Sequence, residues 1–408
     1  MEGAAACAAD ATLRDAMASL VSSLYWSLPG PGEFVRRVQS SARSRRATVL
    51  SFPRHSMPGT WDGVKEGLRR ADVRIVVEVA IQDGTDIAYE VGPHVGRELV
   101  TPAQLADVTL PDSAAVLMRA DGDKARANCE DYFGKFLVAL EHATGNVHLF
   151  VEMRDDDFAR DRSCEEFDVL AFDGALSVDE MAAYVGMRML GRHGPGSTHL
   201  LRALVNEFAG FDARLAERLI AFSDAEILGL PGSLTTVLEE DPLRWRTESW
   251  TEGTHATLYG STVRHPLHEW HLALHAGIQQ TDALKAAKRR YWRACVRALT
   301  PWLEERRTRV LRILKKPIDE VLAANGGRFA RELANGKTIE VDRDEFDYNN
   351  VVGLVYYHGL RVPEDSASQR AVGVCRIAKI VRDELAHLRA PKLQDILALI
   401  TTMDALLA

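Results

Sequence analysis

Lysine is scarce in this chain of 408 residues: of its 50 basic residues, 40 are arginine and 10 lysine, a bias that genome composition produces without a functional cause. Cysteine is scarce as well. The five cysteines (Cys7, Cys129, Cys164, Cys295, Cys375) show no C-x-x-C spacing, which excludes a thiolate zinc site and a disulfide framework and leaves them as buried small hydrophobes. Apolar runs such as Phe136–Leu140 and Ile396–Ile400 fall short of the roughly 18 residues a membrane helix needs, so no membrane partner is expected. Glycine and proline stand at ordinary levels, 29 and 15, which excludes collagen-like and low-complexity classes. The opening MEGAAACAADATLRDAM carries acids early and has no basic segment before an apolar core, so it does not read as a secretion signal; a cytoplasmic location is expected.

At about 150 residues per domain, the length suggests two or three globular units. Over residues 1–175, β-branched runs alternate with helical stretches: Ala47–Phe52, Val73–Ile81, Ala114–Met118, Val147–Met153 and Phe167–Phe172 read as strands, and Lys124–His142 as a helix. Largely apolar strands in such alternation predict a parallel sheet covered by helices on both faces, an α/β domain. From Ser177 the pattern turns amphipathic and helical, with Ser or Asp near helix starts and Gly at ends, giving an all-α middle region over 176–264. Its tail, RWRTESWTEGTHATLYGS, has no clear period and reads as a linker. Residues 265–408 form an all-α bundle, interrupted by loops at Gly326–Asp347 and Pro363–Ser366.

An α/β opening directs attention to phosphate binding, yet the motifs fail. The segment after the first strand, FPRHSMPGTWDG, contains neither G-x-x-x-x-G-K-[ST] nor G-x-G-x-x-G, and Pro53 and Pro58 remove backbone N–H groups a phosphate cradle would need. Gly336-Lys337-Thr338 is a coincidence, since Arg331 stands where the first glycine belongs. VHLFVEM ends on Glu152 and resembles the acidic strand tip of nucleotide hydrolases. With no phosphate loop, the resemblance implies a degenerate NTPase-like (STAND-like) domain.

Net charge is −8, but Thr281–Lys316 holds 12 Lys/Arg against three acids, leaving −17 for the remainder. A block of one sign attracts phosphate within the screening distance of about 8–10 Å. Its plainer reading is a solvated helix face. His265, His268, His271 and His275 fall within an arc of roughly 120° on a helix. HEWH is not H-E-x-x-H, and core or partner-facing histidines are preferred over a metal site. No metal or cofactor is expected.

The last helices carry Arg382, Asp383 and His387 in R-D-x-x-x-H, within VRDELAHLRAP. This region resembles the HEPN superfamily, whose nuclease members carry R-x(4–6)-H, with a polar residue often following the arginine; ELAHLRAP is similar to their RN-x-LAH ending. The likeness spans Pro266–Ala408, and Arg289–Arg307 resembles the first helix of such domains. It implies a metal-independent endoribonuclease of a bacterial toxin or phage-defence system, restrained by its N-terminal domain and a partner protein acting as sensor or inhibitor. His387 would be the general base or acid, Arg382 the phosphate stabiliser and Asp383 the orienter, with Lys288, Arg289, Arg290, Arg293 and Arg297 holding the RNA backbone. Asp383 stands where Asn is commonest.

Geometry adds a condition. Five residues on a helix turn about 500°, leaving the two side chains about 140° apart. They converge only if the helix breaks between them or if a twin chain supplies the matching pair, so a homodimer through the C-terminal helical domain is expected. The alternative is an inactive NTPase-like and HEPN-like regulator or scaffold that binds a partner protein, in which Arg382 pairs with a nearby carboxylate and His387 answers the helix dipole.

Overall fold

A computed structural model of the chain describes residues 21–52, 59–153, 167–192, 197–249, 252–275, 280–326, 329–332, 338–364 and 366–408. Two compact units emerge: Met1–Tyr184 with Gly210–Glu217 and Asp241–His268, and Val185–Ala209 with Arg218–Glu240 and Glu269–Ala408. Residues 176–264, read from the sequence as a middle region, are divided between the two, and the division crosses helix Pro266–His275 between His268 and Glu269, four residues beyond the boundary expected at 265.

The first unit is α/β, as the alternating pattern requires. Its elements run α1 (Pro29–Ser44), β1 (Ala47–Ser51), α2 (Thr60–Arg70), β2 (Ile75–Gln82), β3 (Ala114–Asp121), α3 (Asp123–Leu140), β4 (Val147–Met153) and β5 (Asp168–Ala171). All five strands fall where the apolar runs place them, and they form one parallel sheet in the order β2-β3-β4-β1-β5. Strand β1 is buried at every residue because both of its faces are covered. Ala47 and Val49 join Val116, Leu149, Phe133 and Phe136 on the α3 side. Thr48 points to the other face, where its hydroxyl lies 2.8 Å from that of Ser41 on α1. Each large side chain so buried contributes about 1.5–3 kcal/mol.

The remainder of this unit contains a two-stranded antiparallel hairpin, β6 (His255–Leu258) and β7 (Ser261–Arg264), where the sequence suggested a linker. Its two-residue turn has Tyr259 and Gly260 at φ +50° and +75°, both left-handed as a primed hairpin turn demands. Tyr-Gly stands in place of the usual Asn-Gly, and the strands are only four residues long, so neither signal was strong enough to read.

The second unit is helical. Helix α4 (Ser197–Ala209) packs on the long α5 (Gln280–Ile313), and α5 packs on α7 (Ala367–Ala386); α6 (Tyr348–Tyr357) and α8 (Leu393–Leu407) each pack on α7. Ala294, Cys295, Ala298, Leu299, Trp302 and Leu303, spaced at helical intervals along α5, are buried. The expected loop at Gly326–Asp347 holds a short antiparallel pair, Ala330–Glu332 with Thr338–Glu340. Among the described residues no helix is long and apolar enough to cross a membrane.

Candidate functional site

The terminal motif lies on α7, whose start is capped by the Ser366 hydroxyl accepting from the Gln369 N–H at 3.1 Å. The helix continues unbroken past Arg382 to Ala386, and His387 is its C-cap. The stop is made by Leu388 at φ +58°, with the Arg389 N–H donating to the Glu384 carbonyl at 2.9 Å, and not by Pro391, which lies beyond it. Because no break separates Arg382 from His387 within the helix, the first route to convergence is closed in this chain.

Each member of the motif has its own partner. Arg382 donates through Nη1 to Asp347 Oδ2 at 2.8 Å. Asp347 is also the N-cap of α6, accepting from the Asn350 N–H at 2.9 Å. Lys379 Nζ donates to the Asp383 carboxylate at 2.5 Å, so that carboxylate does not orient the histidine. The Asp383 carbonyl does, lying 2.6 Å from His387 Nδ1. A carbonyl only accepts, so Nδ1 of the exposed imidazole carries a proton, and in the neutral tautomer that fits this contact Nε2 is the acceptor. Trp292 anchors this corner by donating from Nε1 to the Leu385 carbonyl at 3.0 Å. Sequence reasoning missed Trp292 and Asp347, because no spacing rule links residues so far apart in the chain.

The basic row on α5 is divided by its environment. Lys288 and Arg289 are exposed. Arg290 is buried; its Nε donates to Glu269 at 2.5 Å and its Nη1 to the Glu207 carbonyl at 2.9 Å. Arg293 and Arg297 both reach the buried Glu207 carboxylate, at 2.8 and 2.7 Å. Three of the five cations assigned to RNA are therefore engaged by two carboxylates of the same unit, and Arg290, 7% exposed, has little surface to offer a phosphate.

The histidine row is split between the units. His265 is fully buried, accepts from the Leu267 N–H at Nδ1 (3.1 Å) and so donates from Nε2 to Asp212 at 3.1 Å, with its ring stacked 4.6 Å from that of Trp245. His268 is buried too, with Nδ1 2.8 Å from the Trp245 carbonyl. In the second unit the rings of His271 and His275 lie 4.8 Å apart. Among the described residues no three His, Cys, Asp or Glu side chains gather as metal ligands.

In the α/β unit, β1 has β4 on one side and β5 on the other, the switch point beside which open α/β sheets hold ligands. Glu152 on β4 pairs in register with Leu50 of β1. Pro53–Pro58 and Arg154–Glu166, the segments leaving these strands, lie outside the described residues, as do Gly336 and Lys337. Helix α2 begins after Gly59 at φ +84°, where an added Cβ would come within 2.9 Å of an Asp62 carboxylate oxygen. Asp62 therefore folds back over the N-terminus of α2. The Trp26 indole covers the same turn: its Nε1 donates to the Gly59 carbonyl at 3.0 Å, and a Cβ on Gly63 would meet its ring at 2.7 Å. Beside them an open cavity of about 730 Å³ is lined by Ser22, Trp26, Asp62, Glu66, Arg69 and Arg70.

Compared with known proteins, the chain matches no protein-family model and no curated protein. Among solved structures it is similar to the RuvB Holliday junction branch migration motor of Thermotoga maritima, at 11% identity over 59% of this chain and 94% of that one, with a TM-score of 0.26. A superposition at that level does not establish a shared fold.

Proposed function

We propose that this protein is a regulatory or scaffold protein that binds a partner protein, built on a degenerate NTPase-like α/β unit and a HEPN-like helical unit, neither of which turns over substrate. The observation that carries this reading is the ion pair between Arg382 and Asp347: the cation a ribonuclease would aim at developing phosphate charge is held by the protein's own carboxylate. The α/β unit supports it. Its β1 is followed by α2 at the switch point, the order of a phosphate site, but Asp62 stands in the first turn of α2 where phosphate would be drawn, and two prolines stand in the sequence between them.

A second reading, a metal-independent endoribonuclease acting as a homodimer, is favoured by one observation. The Nδ1 contact of His387 selects the tautomer in which, when the ring is neutral, Nε2 is the nitrogen that accepts a 2′-hydroxyl proton. Arg382 would then exchange Asp347 for phosphate, and a twin chain would supply the matching pair.

The purified full-length chain is incubated with ATP and with total RNA, and expressed in cells under an inducible promoter. The regulatory reading expects no ATP hydrolysis, no RNA cleavage and no growth arrest. RNA cleavage and arrest that vanish in His387→Ala and Arg382→Ala would overturn it in favour of the nuclease.

A further inference from the structure

The two edges of the parallel sheet differ. At β5 the edge is four residues long, Asp168 pairs with Arg45 at 3.5 Å, and Arg37 Nη1 donates to the outward carbonyl of Ala171 at 3.3 Å. At β2 the edge is eight residues long, contains no proline, and is matched to β3 without a bulge from Ile75 opposite Ala114 to Gln82 opposite Asp121. Shortness, ion pairs, prolines and bulges are what keep an edge from pairing with another chain, and β2 has few of them. The Ile75 N–H donates to the Ser113 carbonyl at 3.2 Å, so Ile75, Val77, Val79 and Ile81 turn their backbone groups toward β3, and Val76, Glu78 and Ala80 turn theirs outward. Among the described residues no backbone group meets those three; the next outward N–H, that of Gln82, is held by the Thr85 hydroxyl at 3.2 Å. Ile75, Val76 and Val77 are only half-buried, so apolar side chains along this edge lack a complete covering.

We propose that β2 accepts an extended segment of a partner protein as an added strand, main-chain hydrogen bonds to Val76, Glu78 and Ala80 giving affinity and alternate side chains giving selectivity. The inference rests on the regulatory reading, which requires a partner protein, and names the chemistry of that partner. Apolar side chains on one face of the added strand continue the core through Ile75 and Val77, which already pack against it. Charge favours basic ends. Asp83, Asp86 and Asp121 are exposed at the close of β2 against Arg119, which stands opposite Ala80, whereas Lys65 and Arg74 are already paired, with Glu78 at 2.6 Å and Asp112 at 3.3 Å. A second copy of the chain fits less well: the symmetric antiparallel pairing that uses all three outward residues sets Glu78 against its twin, and like charges directly opposite destabilise a strand pair.

The test uses the full chain and a labelled peptide of alternating valine and threonine, about eight residues long, with lysines at both ends. Fluorescence anisotropy is expected to show saturable binding below about 1 mM, and hydrogen exchange at the Val76, Glu78 and Ala80 amides should slow about tenfold while the Val77 and Val79 amides, already bonded, stay unchanged. Ala80→Pro removes one outward N–H and leaves the β3 ladder, so it should weaken binding about tenfold, whereas Ala80→Thr keeps that N–H and should stay within about twofold. Should circular dichroism show Ala80→Pro unfolded, the exchange pattern of the unaltered chain decides. No binding, equal binding of the peptide N-methylated on every amide, or protection that misses the three outward amides would overturn the proposal. The same protection in the chain alone, rising with its concentration, would assign the edge to a second copy and overturn it too. Either failure leaves the regulatory reading standing, because ATP and RNA turnover decide that one; RNA cleavage would defeat the regulatory reading whatever the peptide does.

Discussion

Glu207 offers a direct test of how the basic helix is used. Its carboxylate, 6% exposed, receives Arg293 at 2.8 Å and Arg297 at 2.7 Å, and its carbonyl receives Arg290. Glu207→Gln keeps the shape and removes the charge. Breaking a fully buried ion pair from one side costs about 3–5 kcal/mol, because the remaining charge is stranded. Arg293 and Arg297 are 37% and 50% exposed, so they can recover water, and Arg290 keeps Glu269. The expected loss is therefore about 2 kcal/mol, which for a domain of about 150–250 residues lowers Tm by roughly 4–8 °C. Thermal unfolding followed by tryptophan fluorescence measures it, with Glu240→Gln as control: Glu240 pairs with Arg218 on the surface, and its loss should stay within about 0.5 kcal/mol. Because Glu207 itself is buried while its arginines are partly exposed, salt screens these pairs less than a surface pair, and the difference should shrink only in part at high ionic strength. A second readout follows from the same geometry, since two released guanidinium groups should raise any affinity for RNA. A Tm change equal to the control, or RNA affinity that falls, would refute the view that these arginines are structural.

The double role of Asp347 can be split by substitution. Asp347→Asn retains a capping oxygen and loses the Arg382 pair, at a cost of up to about 1 kcal/mol, whereas Asp347→Ala also loses the cap and should cost about 1 kcal/mol more in urea unfolding. Burial, with help from the Arg46 charge, pulls the His148 imidazole below its ordinary 6.5. The unfolded chain then binds a proton that the folded chain refuses, so the stability is complete above that value and lost as pH falls. His148→Asn should flatten the decline of unfolding free energy between about pH 7 and pH 5; an unchanged slope would count against the assignment. Burial pushes the thiols of Cys129, Cys295 and Cys375 up to about 12, so mass spectrometry after thiol labelling at about pH 8 should find all three unmodified until the protein unfolds.

The sequence by itself determined the five strands, their parallel α/β setting, the helical C-terminal half and the position of Arg382, Asp383 and His387, because apolar period and motif spacing are local properties that survive without knowledge of contacts. It could not tell which acid would fold onto which base. Asp347 meets Arg382 across 35 residues, and Glu207 meets Arg293 across 86. Those pairings arise only when helices far apart in the chain pack side by side, and they decide that much of the basic row is internal structure. Net charge along a segment counts ions without seeing their neighbours. The tertiary structure alone decided that α7 runs straight through the motif, that Asp62 lies over the start of α2, and that β2 was left at an open edge of the sheet.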